Sequence, residues 1–447
     1  MSSKSPFLGL RGHALRAAQI IFVVGPGFTL FGYNQAGVGP LATLQTWVST
    51  FPTIDTINTE GAQEAVNSTR KGAVIASFQI GALIGALSCL FLGDRLGRRK
   101  TIFLAAILTI IGEVLQVSAY NVIQFVVGRV ILGIGVGEIS VAIPVWQAEC
   151  SSAAHRGRDV ITAGIFMCLG YALCNWIDFG FTFIRNSTLE WRLPLALSLI
   201  LSLTVASVIF CLPESPRWLV RVNKVKQATR NLAALKDLPE DDEAIRTEIA
   251  QIESSLEFAT ARNNSLMEMF SKNDDERLFY RFCLCFALQF FQQMCGGNLI
   301  SVSSIASAFF IFLFNSFYPF GFLGGNFLYC TEVAPVRLRV AMNSVSTANH
   351  WLWNFVVTMV TPVALDTIGF RYYIMYAIIS ACIPVSVFFF YPETMNRNLE
   401  LLNNVFKDAS SPWDIVQMAR DLPEGEVADS DNDHSVAKQK VEQKENA

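Results

Sequence analysis

Residues 279–301 read FYRFCLCFALQFFQQMCGGNLIS. The run is apolar enough to cross a bilayer, yet it holds Gln289, Gln292, Gln293 and Asn298. An uncharged amide in hydrocarbon is costly unless it faces a partner or a water-filled cavity. Offsets of three and four residues put the glutamines on one side of a helix, and Gly296-Gly297 loosens the backbone just before Asn298. Amides donate and accept hydrogen bonds without charge, which suits a polyhydroxylated neutral solute. They also serve as glue between membrane helices, and this segment alone leaves both readings open.

The rest of the chain sets the class. Of its 447 residues 52% are apolar and 16% charged, and the mean hydropathy is +0.39. That charged share is well below the roughly 25% of soluble domains. Apolar runs long enough to span a bilayer recur near 20–44, 72–92, 101–120, 123–147, 159–181, 193–212, 280–299, 302–329, 344–364 and 372–391. The fold class is therefore all-α and polytopic, with about ten transmembrane helices. The expected division is a cytoplasmic N-terminus (1–19), a six-helix bundle (20–212), a cytoplasmic loop (213–278), a second bundle of about four helices (279–400) and a largely disordered cytoplasmic tail (401–447). The polar segment 1–19 leads straight into a full-length span, unlike a cleavable signal peptide. The net charge of −3 says nothing about partners; no basic patch suits a nucleic acid, so none is expected, and protein partners are not legible in the sequence. The ten cysteines lack metal-ligand spacing. Without a nucleophile–base pair, phosphate loop or metal motif, the chain reads as a non-enzyme with no cofactor and no metal.

Basic residues near span ends orient the chain. Lys4, Arg11 and Arg16 precede the first span, Arg95, Arg98, Arg99 and Lys100 follow the second, and Arg156 and Arg158 follow the fourth, whereas 45–69 carries no Lys or Arg. Both termini and the long loop then lie in the cytoplasm. Asn67-Ser68-Thr69 and Asn186-Ser187-Thr188 match glycosylation acceptors on the outer side. Ile245, Ile249, Ile252 and Leu256 in the loop mark an amphipathic helix. Gly25-Pro26-Gly27 is expected to break the first span, which holds Tyr33, Asn34 and Gln35 at mid-depth.

The most informative pattern is a repeat. Glu149 is followed by Arg156 and Glu332 by Arg339, both at seven residues. PESPR (213–217) closes the first half and PETMNR (392–397) the second. Glu214 lies 65 residues after Glu149, and Glu393 lies 61 after Glu332. Two parallel copies of one bundle are the organisation of a rocking transporter with its site between the copies. The second copy is short: 129 residues run from the start of the first span, near 20, to Glu149, but only 53 from 279 to Glu332. The deficit of 76 residues, enough for two spans, removes any counterpart of the basic turn at 93–99.

GDRLGRRK (93–100), the glycine-rich run from Gly128-Arg129 to Glu149 and Arg156, PESPRWL (213–219) and PETMNRNLE (392–400) resemble the sugar porter family of the major facilitator superfamily, most closely fungal hexose and other monosaccharide transporters. Trp146 stands where the family has Tyr, and Asn396 and Asn398 where it has Gly and Ser. The resemblance implies twelve spans, alternating access and a site at mid-membrane. By that pattern the missing region is the end of the seventh family span, the eighth and the ninth, with a join near Asn298 to Ser304. A splice variant, a faulty gene model and a reduced transporter all give such a join.

Carried over position by position, Gln292, Gln293 and Asn298 match the family's sugar-binding amides, while His350, Trp351 and Asn354 match its polar-aromatic site. Trp351 is then expected to lie against the apolar face of a sugar in a water-filled pocket. Phe327 takes the place of a stacking Trp and Gly164 that of a binding Gln. One charge latch is expected from Asp94, Arg95, Arg98, Arg99, Glu149, Arg156, Glu214 and Arg217, and a weaker one from Glu332, Arg339 and Glu393. Proton symporters of the family often carry Asp at the position of Asn34, paired with the arginine matching Arg129. Asn34 binds no proton, so the expected mode is facilitated diffusion of a hexose or pentose across the plasma membrane, with the sugar and the lipid bilayer as the expected partners. Symport through Glu113, Glu138 or Asp178, a non-transporting sugar receptor and an inactive truncated product are the alternatives.

Overall fold

The computed structural model describes residues 7, 9–151, 153–184, 187–260, 276–295, 318, 322–323, 325–335, 338–369, 371–395, 397 and 399–422. The described residues are helical, with no strand among them. The first bundle comprises α1 (Gly12–Leu41), α2 (Gly61–Leu96), α3 (Arg98–Val117), α4 (Val122–Cys150), α5 (Ala153–Phe181) and α6 (Leu189–Cys211). Three helices form the connecting loop: α7 (Pro216–Arg221), α8 (Val225–Lys236) and α9 (Glu243–Thr260). The second half holds α10 (Leu278–Met294), α11 (Gly325–Val333), α12 (Arg339–Ile368) and α13 (Arg371–Phe390), followed by α14 (Leu399–Asp408) and α15 (Pro412–Asp421).

All six spans expected in the first half appear, as do those near 280–299, 344–364 and 372–391. The span expected at 302–329 lies mostly outside the described residues. Among the described helices, seven are apolar and long enough to qualify as spans on that ground alone. α10, described over 17 residues, and α12 are not among those seven; both carry buried amides such as Gln289, Gln292, Asn343 and Asn354.

The expected break in α1 is absent. A π turn at Ile20–Val24 closes with the Gly25 N–H donating to the Ile20 carbonyl, and Pro26 enters the next α segment near its start. Proline has no N–H to give, and the wider turn carries the helix past it. Beyond α1, glycines let helices touch backbone to backbone. A Cβ on Gly85 would lie 2.0 Å from the Ile134 carbonyl oxygen, and one on Gly137 would lie 2.1 Å from that of Ala82. Close approach of this kind replaces the hydrophobic drive that lipid cannot supply between helices.

The amphipathic loop helix forms as expected. Ile245, Ile249 and Ile252 of α9 are buried against Leu219, Ala228 and Leu232, and the Leu256 side chain lies outside the description. Arg11 ties the loop to α1 through Asp237 at 3.3 Å and the Leu238 carbonyl at 2.8 Å.

Two expectations are corrected. The tail is ordered through its first part: α14 and α15 bury Leu402, Val405, Phe406, Ile415 and Ala419 against Leu284 and Val333. Ser411 and Asp414 form a capping box at the start of α15. Composition hid this because the apolar residues recur at helical spacing amid polar ones. Asn67 is no glycan acceptor surface either. α2 begins eleven residues before the expected span, and Asn67 sits on it 2% exposed, its amide donating to the Asp55 carbonyl at 2.7 Å. Asn186 lies outside the described residues.

Gly137→Val should force α2 and α4 apart and cost the upper end of the ~1–3 kcal/mol typical of overpacking. Gly180→Ala, with nothing within 4 Å of the added methyl, should leave stability unchanged or slightly raised. Thermal unfolding of the two variants in detergent checks the contrast.

Candidate functional site

α10 and α12 meet along their polar faces. Gln289, Gln292 and Gln293 are 0%, 1% and 4% exposed. His350 Nδ1 lies 2.9 Å from Gln292 Oε1 and its Nε2 lies 3.2 Å from Gln293 Nε2. A proton on Nδ1 satisfies both bonds, with Nε2 accepting from Gln293. Asn326 on α11 completes the cluster, its Nδ2 donating to Gln289 Oε1 at 2.9 Å and to Gln292 Oε1. Two polar atoms in this cluster are buried without a partner, Gln292 Nε2 and Asn326 Oδ1.

An aromatic wall from the first half faces these groups. Phe31 of α1 packs on Trp351 with ring centroids 4.8 Å apart and planes at 34°. Phe78 of α2 meets Trp351 edge-on at 5.6 Å, and His350 does so at 5.2 Å. Phe327 stands 5.2 Å from His350 and 6.1 Å from Phe31. Trp351 Nε1 donates to Ser140 Oγ on α4 at 3.3 Å. The Asn354 and Gln79 amides meet across the halves at 3.2 Å. Asn354 is 1% and Trp351 0% exposed. The expected water-filled pocket is therefore closed, and Phe31 covers a face of Trp351.

A charge network closes one end of the first bundle. Arg98 grips Glu149 with two parallel bonds, Nε to Oε2 at 2.8 Å and Nη2 to Oε1 at 2.9 Å, and also reaches Asp94 at 3.3 Å. Glu214 accepts from the backbone N–H groups of Arg98 (3.2 Å), Arg99 (3.1 Å) and Ser215 (3.0 Å). It thereby caps the start of α3, where the helix dipole favours an anion. Burial pushes its carboxyl above the ordinary glutamate value, opposed by these N–H groups and the two arginines. The turn before α3 needs Gly97, whose φ is +87° and whose added Cβ would lie 2.9 Å from the Trp218 ring. From the second half, Arg339 acts on the Glu149 charge, Val340 packs on Gly93, and Asn343 donates to the Val141 carbonyl at 3.3 Å.

Comparison with known proteins fits this architecture. The family profile described as "Sugar (and other) transporter" matches residues 19–304 and again 300–406. This chain belongs to the sugar transporter family of the major facilitator superfamily. The two matched stretches overlap at 300–304. Sugar transporter STL1 of Saccharomyces cerevisiae is 28% identical over 510 aligned positions, covering 96% of this chain and 89% of that protein. High-affinity glucose transporter ght2 of Schizosaccharomyces pombe is 24% identical, covering 90% of each. The fold matches the proton:xylose symporter XylE bound to 6-bromo-6-deoxy-D-glucose at TM-score 0.73, with 20% identity over 87% of this chain and 98% of that one. Against the inward-open conformation of XylE from E. coli the TM-score is 0.57, with 22% identity over 85% and 97% of the two chains.

Within this sugar transporter frame, the structure brings Gln292, Gln293, Phe327, His350, Trp351 and Asn354 together. Asn298 lies outside the described residues and Arg156 outside the described side chains. Asn34 is buried, but its amide donates to its own helix at the Leu30 carbonyl, 3.1 Å away. Arg129 donates to the backbone carbonyls of Asn34 (3.4 Å) and Ile75 (3.0 Å) and lies over the Phe78 ring. Asp94, Arg98, Glu149 and Glu214 are joined in one network, which Arg99 enters through its backbone N–H, and Arg217 stands on α7. Arg95 is exposed and joins no ion pair among the described residues; it follows Asp94 on the outer side of α2. Glu332 and Arg339 are buried. Glu393 is exposed, accepting only from the Met395 N–H of its own turn at 3.0 Å among the described residues.

Sequence reading passed over Asn326, Gln79 and two arginines. Arg221 pairs with Asp94 at 2.6 Å. Arg281, 2% exposed, donates to the Val333 carbonyl at 3.0 Å and to Asn403 Oδ1 at 2.7 Å. A lone arginine two residues into an apolar run (279–301) was the available signal, and the buried cost of such a charge requires partners of this kind.

Removing either member of the Arg98–Glu149 pair should cost about 3–5 kcal/mol, because it strands a buried charge. The double variant Arg98→Ala/Glu149→Ala should cost less than the two single changes summed. Unfolding midpoints of the three variants in detergent give the coupling directly.

Proposed function

We propose that this chain carries a monosaccharide, a hexose or pentose, across the plasma membrane by alternating access, as facilitated diffusion. The carrying observation is the meeting, at the boundary of the two halves, of amides and an imidazole from α10–α12 with an aromatic wall from α1 and α2. Neutral donors and acceptors hold hydroxyls, and aromatic faces cover the apolar side of a sugar ring. Gln292, Gln293, Asn298, Phe327, His350, Trp351, Asn354 and Asn34 are the substrate-binding residues of this reading. The names of the relatives, sugar and glucose transporters among them, support the substrate class.

The conformation is closed. The Arg98–Glu149–Glu214 latch is engaged, and the site residues are sealed beneath Phe31. Transport requires the halves to part, with Phe31 leaving Trp351 so that a sugar takes its place. Because the second half lacks a basic turn, closure at the latch end leans on the first cluster and on α12. Both termini and the loop helices belong on the cytoplasmic side, following the bias of basic residues.

Facilitated diffusion follows from Asn34 and Arg129. Asn34 has no proton to exchange, and Arg129 donates to backbone carbonyls rather than to a carboxylate. In cells lacking their own hexose carriers, D-glucose or D-xylose uptake should proceed without alkalinising the medium and should survive a protonophore. Gln292→Leu and Gln293→Leu should each reduce it about tenfold, one lost bond to a buried polar group being worth about 1–1.5 kcal/mol. Alkalinisation on sugar addition would instead mark symport. The carriers would then be among Glu113, Glu138 and Asp178, each with one buried carboxylate oxygen lacking a partner.

A further inference from the structure

The amide cluster holds a residue that no sugar-binding assignment above includes. Asn326 opens the buried stretch of α11 just ahead of Phe327, and it is 2% exposed. Its Nδ2 is committed to the carbonyl oxygens of Gln289 and Gln292. Its Oδ1 is buried and accepts nothing, and Gln292 Nε2, on the amide bonded to it, is buried and donates to nothing. A buried acceptor and a buried donor left unpaired on two linked amides are costly in a closed membrane interior, unless something arrives to satisfy both. A single hydroxyl does so, donating its proton to Oδ1 and accepting from Nε2. The neighbouring surfaces are aromatic: Phe327 is the next residue along, and His350 bonds the same Gln292 Oε1 that accepts from Asn326.

We propose that Asn326 is a substrate-binding, specificity-determining residue that receives one sugar hydroxyl, bracketed between Asn326 Oδ1 and Gln292 Nε2. This deepens the monosaccharide reading and rests on it. The amide stands on the helix that also carries Phe327, so the hydroxyl is read at the edge of the ring that Phe327 and Trp351 enclose.

The test compares D-glucose with its monodeoxy and monofluoro analogues as competitors for labelled D-glucose uptake in the full-length chain. Affinity should fall about tenfold at one ring position on deoxygenation. Fluorination there should cost as much, because fluorine accepts but cannot donate to Oδ1. In Asn326→Val, close in volume but without polar atoms, that one penalty should shrink to less than about twofold while the penalties at other positions persist. Asn326→Ala, judged by the same ratio, covers the case in which the valine variant fails to reach the membrane. If both fail to reach it, equal deoxy and fluoro penalties in the unaltered chain support the bracket, and a fluoro analogue as good as glucose at every position overturns it. A residue that merely steadies Gln289 and Gln292 would weaken all analogues alike and leave the ratios unchanged, which overturns the assignment to Asn326 alone. Failure of the unaltered chain to take up any monosaccharide overturns the parent reading and this one with it.

Discussion

A polar side chain inside a bilayer has no water to fall back on, and that constraint organises this molecule. Every amide on α10, α11 and α12 has to find a donor or acceptor within the protein. The solution is a knot of Gln289, Gln292, Gln293, Asn326 and His350 at the boundary between the halves. Because α12 also sends Trp351, Asn354 and Asn343 to groups on α4 and α2, one helix joins the polar cluster to the opposite bundle. The knot itself lies within the second half, and the bonds from Asn343, Trp351 and Asn354 on the same helix hold the halves together.

At the latch end the physics is different. There buried charges are paired with one another, and backbone dipoles share the work. Glu214 sits on the first N–H groups of α3, while Arg98 immediately beyond them holds Glu149 in a two-pronged grip. Three elements distant in sequence, α3, α4 and the PESPR turn, are thereby fixed to one another. Gly97 makes that convergence possible by taking a backbone conformation other residues avoid.

The helices of the first half were legible because their apolar runs are long and their polar breaks sharp. The central cluster was legible in type, since glutamines within an apolar run stand out, and Gln292, Gln293, His350 and Trp351 do converge. Asn326 escaped notice because a single amide in a short glycine-rich stretch carries no periodic signal; only its two bonds to glutamines on another helix reveal it. The early start of α2 and the helices α14 and α15 were missed for a related reason. Polar amphipathic turns lie outside hydrocarbon, where a search for apolar length does not look. The exposure of Glu393 could not be read from a repeat whose basic counterpart had been lost, since spacing records where a charge sits and not what faces it.

The π turn at Ile20–Val24 fixes more than the path around Pro26. A helix advances about 100° per residue, from 3.6 residues per turn, so one additional residue in a turn swings everything beyond it by that angle. Leu15 and Ala18, before the turn, and Phe28 and Phe31, after it, are all buried, although an uninterrupted helix would set them in a different azimuthal relation. Forcing the same residues into a regular α-helix, with none removed, would rotate the Phe31 ring off the indole it covers. The aromatic seal is therefore a matter of phase, set by one irregularity several residues away.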